Sequence, residues 1–155
     1  MLGLLIAASV AASNPGWAKF SRQTIGIGPT VTIGRFDEKG TKRSIHWFRF
    51  QEDVRVQKDK ARTLWADSRN CPAVRTALDA LSDVRFGVQA PPDRNDGPVV
   101  IQLDGVGYTF ENRLAFGPGK EIVSIYARER SPLAIWIDAT LDGLKPCWSE
   151  TAPEQ

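Results

Sequence analysis

Two cysteines, Cys71 and Cys147, stand 76 positions apart, and each lies at one end of a segment with helical periodicity. Val74, Ala77, Leu78 and Leu81 recur at i, i+3, i+4 and i+7, the spacing of one buried helix face. Asn70 is the expected N-cap, and Pro72 falls in the first turn, where its missing N–H does no harm. Cys71 comes three residues before Val74 and starts the same stripe, so its sulfur is expected to face the core. A second helix is expected from Ser131-Pro132 by the same logic, a capping serine followed by proline at the first helical position. Leu133, Ile137, Leu141 and Leu144 make its stripe, Gly143 weakens its end and Pro146 stops it. Cys147 follows at once. One cysteine therefore marks the start of the first helix and the other the end of the second. If the helices pack side by side and antiparallel, those ends coincide, which is the geometry a disulfide requires. Such a link closes a long loop and stabilises by ~4.5 kcal/mol in the chain-entropy model. The alternative is two separate buried thiols. A metal centre is not expected, because two cysteines at this spacing with one histidine supply too few soft ligands.

The rest of the chain reads as strands. Thr24–Gly34 is rich in β-branched residues and is broken at Gly28-Pro29. A turn over 37–42 leads to a return strand over Arg43–Phe50, and Val54–Gln57 and Ala61–Ala66 follow as further strands. Residues 87–97 form a loop. Pro98–Leu103 and Gly107–Asn112 are expected to pair as a hairpin around Asp104-Gly105, and Glu121–Ala127 is the last strand. The expected fold is α+β: about six or seven antiparallel strands with two helices on one face. The other face is left wet or open to a partner.

Leu2–Ala12 is an apolar run of 11 residues, too short to span a bilayer as a helix and matched in length to a signal-peptide core. Both Val10-Ala11-Ala12 and Gly16-Trp17-Ala18 put small residues at cleavage positions. The usual positive start is missing, since no Lys or Arg precedes Lys19. We read residues 1–18 as a signal peptide, 19–148 as one domain and 149–155 as a frayed polar tail. The expected location is the periplasm or the outside of the cell, where a disulfide persists.

Chemistry-bearing motifs are sparse. His46 is the single histidine, placed mid-strand with no nucleophile motif beside it, so a structural role is expected. Gly26-Ile27-Gly28-Pro29 lacks the Gly-Lys-Ser/Thr of a phosphate loop and is not followed by a helix; it reads as a twist or bulge in the first strand. Asp93-Arg94-Asn95-Asp96-Gly97 departs from a calcium loop in the place of its glycine and reads as a solvated turn. No cofactor motif is present. Lys39–Arg62 holds eight of the 20 Lys and Arg beside Trp47, Phe48 and Phe50. Lys42, Arg43, His46, Arg49, Arg55 and Lys58 are therefore the candidate binding surface, suited to an anionic polymer. The competing explanation is a solvated strand face, since five acids between 37 and 59 dilute the field. A formal net charge of +2 argues against nucleic acid. Trp65, Trp136 and Trp148 are expected to pack in the core and at its rim, Trp148 over the disulfide.

Three stretches, Trp65-Ala-Asp-Ser-Arg-Asn-Cys-Pro72, Leu103-Asp-Gly-Val-Gly-Tyr108, and Pro132-Leu-Ala-Ile-Trp-Ile-Asp-Ala139 leading to Pro146-Cys-Trp148, resemble small uncharacterised exported proteins of alphaproteobacteria, of the sphingomonad type. The resemblance implies export and the two-cysteine frame. It carries no known activity, so no functional residue follows from it.

Taken residue by residue, the chain is expected to be an exported, non-catalytic domain that binds an envelope component or a protein partner. A carboxylate-based envelope hydrolase is the alternative, since acid pairs leave no sequence signature; Asp67, Asp104, Glu111 and Asp138 are its candidates. A polyanion-binding module using the basic strand face is the third possibility.

Overall fold

The computed structural model describes residues 16–52, 62–85, 105–114 and 121–154. These described residues form six strands and two helices in the order β1 (Ala18–Thr24), β2 (Thr30–Asp37), β3 (Ser44–Gln51), β4 (Thr63–Asp67), α1 (Pro72–Asp83), β5 (Val106–Leu114), β6 (Glu121–Arg128) and α2 (Pro132–Leu144), with a short 3₁₀ turn over Lys145–Cys147. All strands belong to one sheet in the order β4-β3-β2-β1-β5-β6, and every pairing is antiparallel. The fold is α+β, as the periodicities predict.

The break at Gly28-Pro29 lies between β1 and β2, which pair as a hairpin. Thr24 and Ile27 exchange backbone hydrogen bonds of 2.8 and 3.1 Å across the tip. Ile25 and Gly26 both take positive φ, 54° and 73°, the requirement of the tightest hairpin turns. Gly26 meets it at no cost, whereas a β-branched residue in this region is strained. The glycines thus mark a turn rather than a bulge.

β5 is paired on both sides, Phe110 to Phe20 of β1 and to Ile125 of β6. The hairpin partner expected over Pro98–Leu103, like the strand expected over Val54–Gln57, lies outside the described residues.

Side chains alternate between the two faces of the sheet. Ala18, Phe20, Val31, Ile33, Phe48, Ala66, Tyr108 and Phe110 point to the face that the helices cover, where Val74, Ala77, Leu133, Trp136, Ile137 and Leu144 meet them. Phe20 lies at the centre, with its ring edge-on to Trp136 at 5.0 Å and to Phe48 at 6.4 Å. The indole N–H of Trp136 donates to the carbonyl of Ala77 at 2.8 Å, so this buried polar atom of α2 is satisfied by α1.

The cysteines are bonded. Cys71 and Cys147 lie 5.8 Å apart at Cα and form a disulfide. With Cys71 beside Cys147 and Ala77 beside Trp136, the helices run in opposite directions, as the cysteine positions require. Ser131 caps α2 as expected, its hydroxyl accepting from the Ala134 N–H at 3.1 Å. The cap of α1 differs: Cys71, not Asn70, is the N-cap and makes no side-chain cap bond. Asp67 organises the preceding turn instead. Its carbonyl accepts from Asn70 and Cys71, and its carboxylate from the Arg69 N–H at 2.8 Å. Cys71 is thereby held extended at 1% exposure, with its sulfur in the core.

The opposite face is not uniformly wet. Phe36, Ile45, Trp47 and Trp65 form a second small core there, with the Trp47 and Trp65 rings edge-on at 5.5 Å. The tail from Ser149, expected to fray, helps to close it. Ser149 exchanges two backbone hydrogen bonds with Trp65, of 2.7 and 2.9 Å, and Ala152 packs on the cluster. Trp148 lies on Phe50 of the helix-covered face, with ring centroids 5.6 Å apart.

Candidate functional site

Where the β2–β3 hairpin passes beside α1, the helix layer does not cover the sheet completely. Arg35 on β2 and Ser44 and His46 on β3 share the covered face with Phe48, but lie beyond the reach of the core side chains of α1. The result is an open groove of about 1010 Å³ lined by Trp17, Arg43, Ser44, His46, Arg75, Leu78, Asp79, Leu81 and Ser82. A neighbouring recess of about 440 Å³ is lined by Gly16, Trp17, Arg35 and His46. Trp17 and His46 are common to both.

Each wall has a local reason. Trp17 is fixed through its backbone, its N–H donating to Ile33 at 2.9 Å and its carbonyl accepting from Arg113 at 2.8 Å. Its ring packs against the edge of the main core. Gly16 before it has φ of 72°, and a Cβ there would lie 2.5 Å from the Ile33 carbonyl oxygen. A side chain at this position would therefore displace the wall. On α1, Arg75, Asp79 and Ser82 follow at i, i+4 and i+7, one step round the helix from the buried stripe, so they form its groove-facing shoulder. His46 is held by its backbone: its N–H donates to the Ser68 hydroxyl at 3.2 Å and its carbonyl accepts from the Ser68 N–H at 2.9 Å.

The electrostatics are one-sided. Among the described lining residues, Arg35, Arg43 and Arg75 stand with one carboxylate, Asp79. Partial burial pushes the imidazole of His46 below its ordinary pKa, and the positive charges of Arg35 and Arg75 push in the same direction. The histidine is therefore neutral at pH 7, able to donate from one ring nitrogen and accept at the other. Neither Arg43 nor Arg75 forms an ion pair among the described residues. Guanidinium groups bind carboxylate and phosphate oxygens through a planar fork, so the arrangement suits an anionic ligand.

The candidate binding residues divide between several places. Arg43 and His46 line the groove and Lys42 sits exposed in the adjoining turn. Arg49 lies on the opposite face, its guanidinium 5.5 Å from the Trp65 ring and 5.9 Å from that of Trp47. Burial lowers its pKa. Arg55 and Lys58 lie outside the described residues. A single basic strand face is thus not what the sheet presents, because His46 and Arg49 are three positions apart on one strand and must face opposite ways. Trp17, Arg35, Arg75 and Asp79 are groove residues that the sequence did not single out. The shoulder of α1 carried the only readable signal, a polar stripe at helical spacing beside the apolar one.

The candidate carboxylates are separated too. Asp67 is engaged by Arg69 at the end of β4, and Glu111 pairs with Lys19 at 2.9 Å on the uncovered face. Asp138, on α2, accepts from the Tyr108 hydroxyl at 2.8 Å and pairs with Arg22 at 3.0 Å. Desolvation first, and then the Asp138 charge and hydrogen bond, raise the Tyr108 pKa against the opposing pull of Arg22, so this phenol stays protonated and ties α2 to the sheet. Asp104 lies outside the described residues. No group of three or more metal-ligating side chains occurs among the described residues, and no described helix is long and apolar enough to cross a membrane.

No protein-family model, curated protein or solved structure matches this chain.

Proposed function

We propose that the protein is an exported, non-catalytic domain that binds an anionic envelope component or protein partner in the groove between α1 and the β2–β3 hairpin. The observation that carries this reading is the lining itself: among the described residues, Arg43 and Arg75 with one carboxylate, Asp79, around an open trough with Trp17 and Leu78 as its apolar wall, and Arg35 on the adjoining recess. Binding sites combine apolar walls with a few convergent polar groups, and this groove has both.

Two things support export. The disulfide joins Cys71, which is buried, to Cys147, and such links persist in oxidising compartments. The apolar run Leu2–Ala12 supplies a signal-peptide core, and in this reading cleavage falls after Ala12 rather than after Ala18, because Trp17 lines the groove and Ala18 opens β1. The non-catalytic reading is supported by the separation of Asp67, Glu111 and Asp138, each engaged by a different cation; a hydrolase of this kind needs two carboxylates across one cleft.

The test is retention on immobilised heparin across a salt gradient. The protein is expected to be retained and to elute earlier as salt rises, because exposed charge pairing is screened. Reversing two groove charges, Arg43→Glu with Arg75→Glu, is expected to abolish retention. Reversing Arg113 and Arg128, exposed on the other face, is expected to leave most of it. Retention unchanged by the groove reversal would refute the proposal.

A further inference from the structure

We infer that the ligand of this groove is an acidic oligosaccharide, a chain of sugar rings bearing carboxylates; the inference rests on the anion-binding reading above and names its ligand class. Four features of the site lead to it.

The first is extent. The groove of about 1010 Å³ and the recess of about 440 Å³ meet at Trp17 and His46, and the larger already reaches the top of the ~300–1,000 Å³ range of small-molecule sites. The cations are distributed along this length, Arg43 and Arg75 on the groove and Arg35 on the recess. A ligand carrying several anionic groups matches cations on two adjoining hollows better than a single small anion does.

The second is Trp17, the wall common to both. Its half-buried indole presents an apolar aromatic surface beside guanidinium groups. Sugar rings have an apolar C–H face that covers such a surface, while their carboxylates remain free to meet the arginines.

The third is the set of hydrogen-bonding groups. Ser44, Ser82, His46 and the carboxylate of Asp79 also line the groove. Asp79 accepts hydrogen bonds but cannot donate them when ionised. Towards a dense polyanion that offers no donors it contributes only repulsion. Towards a ligand rich in hydroxyls it is a charge-assisted acceptor, and neutral His46 serves as acceptor and donor together.

The fourth feature disfavours a peptide. The strands that border the groove are β2, paired with β1 and β3, and β3, paired with β2 and β4. Beside the groove the outer backbone groups of His46 are taken by Ser68, and the carbonyl of Ile33 is taken by Trp17, so an extended acidic peptide would find little backbone ladder for its amide groups and would leave most of them to water.

Calorimetric titration of the oxidised protein with three probes tests this: a short galacturonate oligomer, an uncharged galactan oligomer of equal length, and polyglutamate of equal charge. Galacturonate is expected to bind, with a change in tryptophan fluorescence that is lost in Trp17→Phe. Asp79→Asn is expected to weaken galacturonate binding about tenfold, the loss of one hydrogen bond to a charged group, although it removes a negative charge. A purely electrostatic site would respond with the opposite sign. Polyglutamate binding as tightly as galacturonate, or Asp79→Asn strengthening galacturonate, would overturn the sugar assignment and leave the anion-binding reading standing. Failure of both anions to bind, or equal binding of the uncharged galactan, would overturn both. Circular dichroism of each variant separates loss of binding from loss of fold.

Discussion

The two faces of the sheet are built on different principles. The face beneath the helices is closed by burial and by a covalent link: Phe20, Ile33, Phe48, Ile137 and Leu144 are almost wholly withdrawn from water, and the disulfide pins α1 to α2. The opposite face is closed only over β2, β3 and β4, by two tryptophans, Phe36, Ile45 and the tail. Over β6 the described side chains of this face are exposed, with Ile122 at 56% and Tyr126 at 82%. Stability is therefore concentrated on one side. The groove lies on that same side, at the margin where the helix layer ends, so its walls are rigid while its mouth is open. A binding site placed on well-packed elements loses little ordering entropy when it is filled.

Substitutions that attack one face at a time test this division. Phe20→Ala is expected to cost the most, about 3–5 kcal/mol, because it removes the ring on which Phe48 and Trp136 pack and leaves a cavity; urea denaturation monitored by circular dichroism measures it. Replacing Cys71 and Cys147 together by serine is expected to cost about 2–4 kcal/mol, mainly through the freed unfolded chain, and to be matched by adding reductant to the native protein. Truncation after Trp148 should cost less, about 1–3 kcal/mol, since it removes two backbone hydrogen bonds at roughly 0.5–1.5 kcal/mol each and a little apolar cover. Its signature should be local: Trp47 and Trp65 become accessible to a fluorescence quencher while the helix-covered core stays intact. A truncation as damaging as Phe20→Ala would mean that the two faces are not separately held.

The smallest effect concerns His46. Its folded-state pKa lies below the ordinary value of 6.5 because of partial burial, with Arg35 and Arg75 adding to the shift. The unfolded chain therefore takes up this proton at higher pH than the folded one. Stability is unaffected above about 6.5, declines as pH falls from there through the folded pKa, and levels off below it. His46→Gln should flatten that part of the pH–stability curve. A bound polyanion should reduce the slope as well, by offsetting the positive potential of the arginines.

Much of this architecture was written in local patterns. The apolar stripe Val74–Leu81, the capping pair Ser131-Pro132 and the return strand read over Arg43–Phe50 each survive in the fold, because burial of one face and the needs of a helix end act on neighbouring residues. The N-cap of α1 was not readable in this way: Asn70 has the right chemistry, but the carboxylate and carbonyl of Asp67 had already claimed the turn. The groove was still less legible. Trp17, Arg35, Arg43, His46 and Arg75 come from the lead into β1, from β2 and β3, and from α1, and no spacing along the chain relates them.

By itself the sequence determined the class of fold and the two helices, and it showed that a disulfide between their cysteine-bearing ends would require them to run antiparallel, with two separate buried thiols as the alternative. Only the tertiary structure decided which strands lie side by side, that the tail covers a second aromatic cluster, and that arginines distant in sequence converge on one groove. The physical reason is range. Periodicity and capping act over one or two turns of chain, whereas strand order and the convergence of charges depend on which apolar faces find one another across the whole molecule.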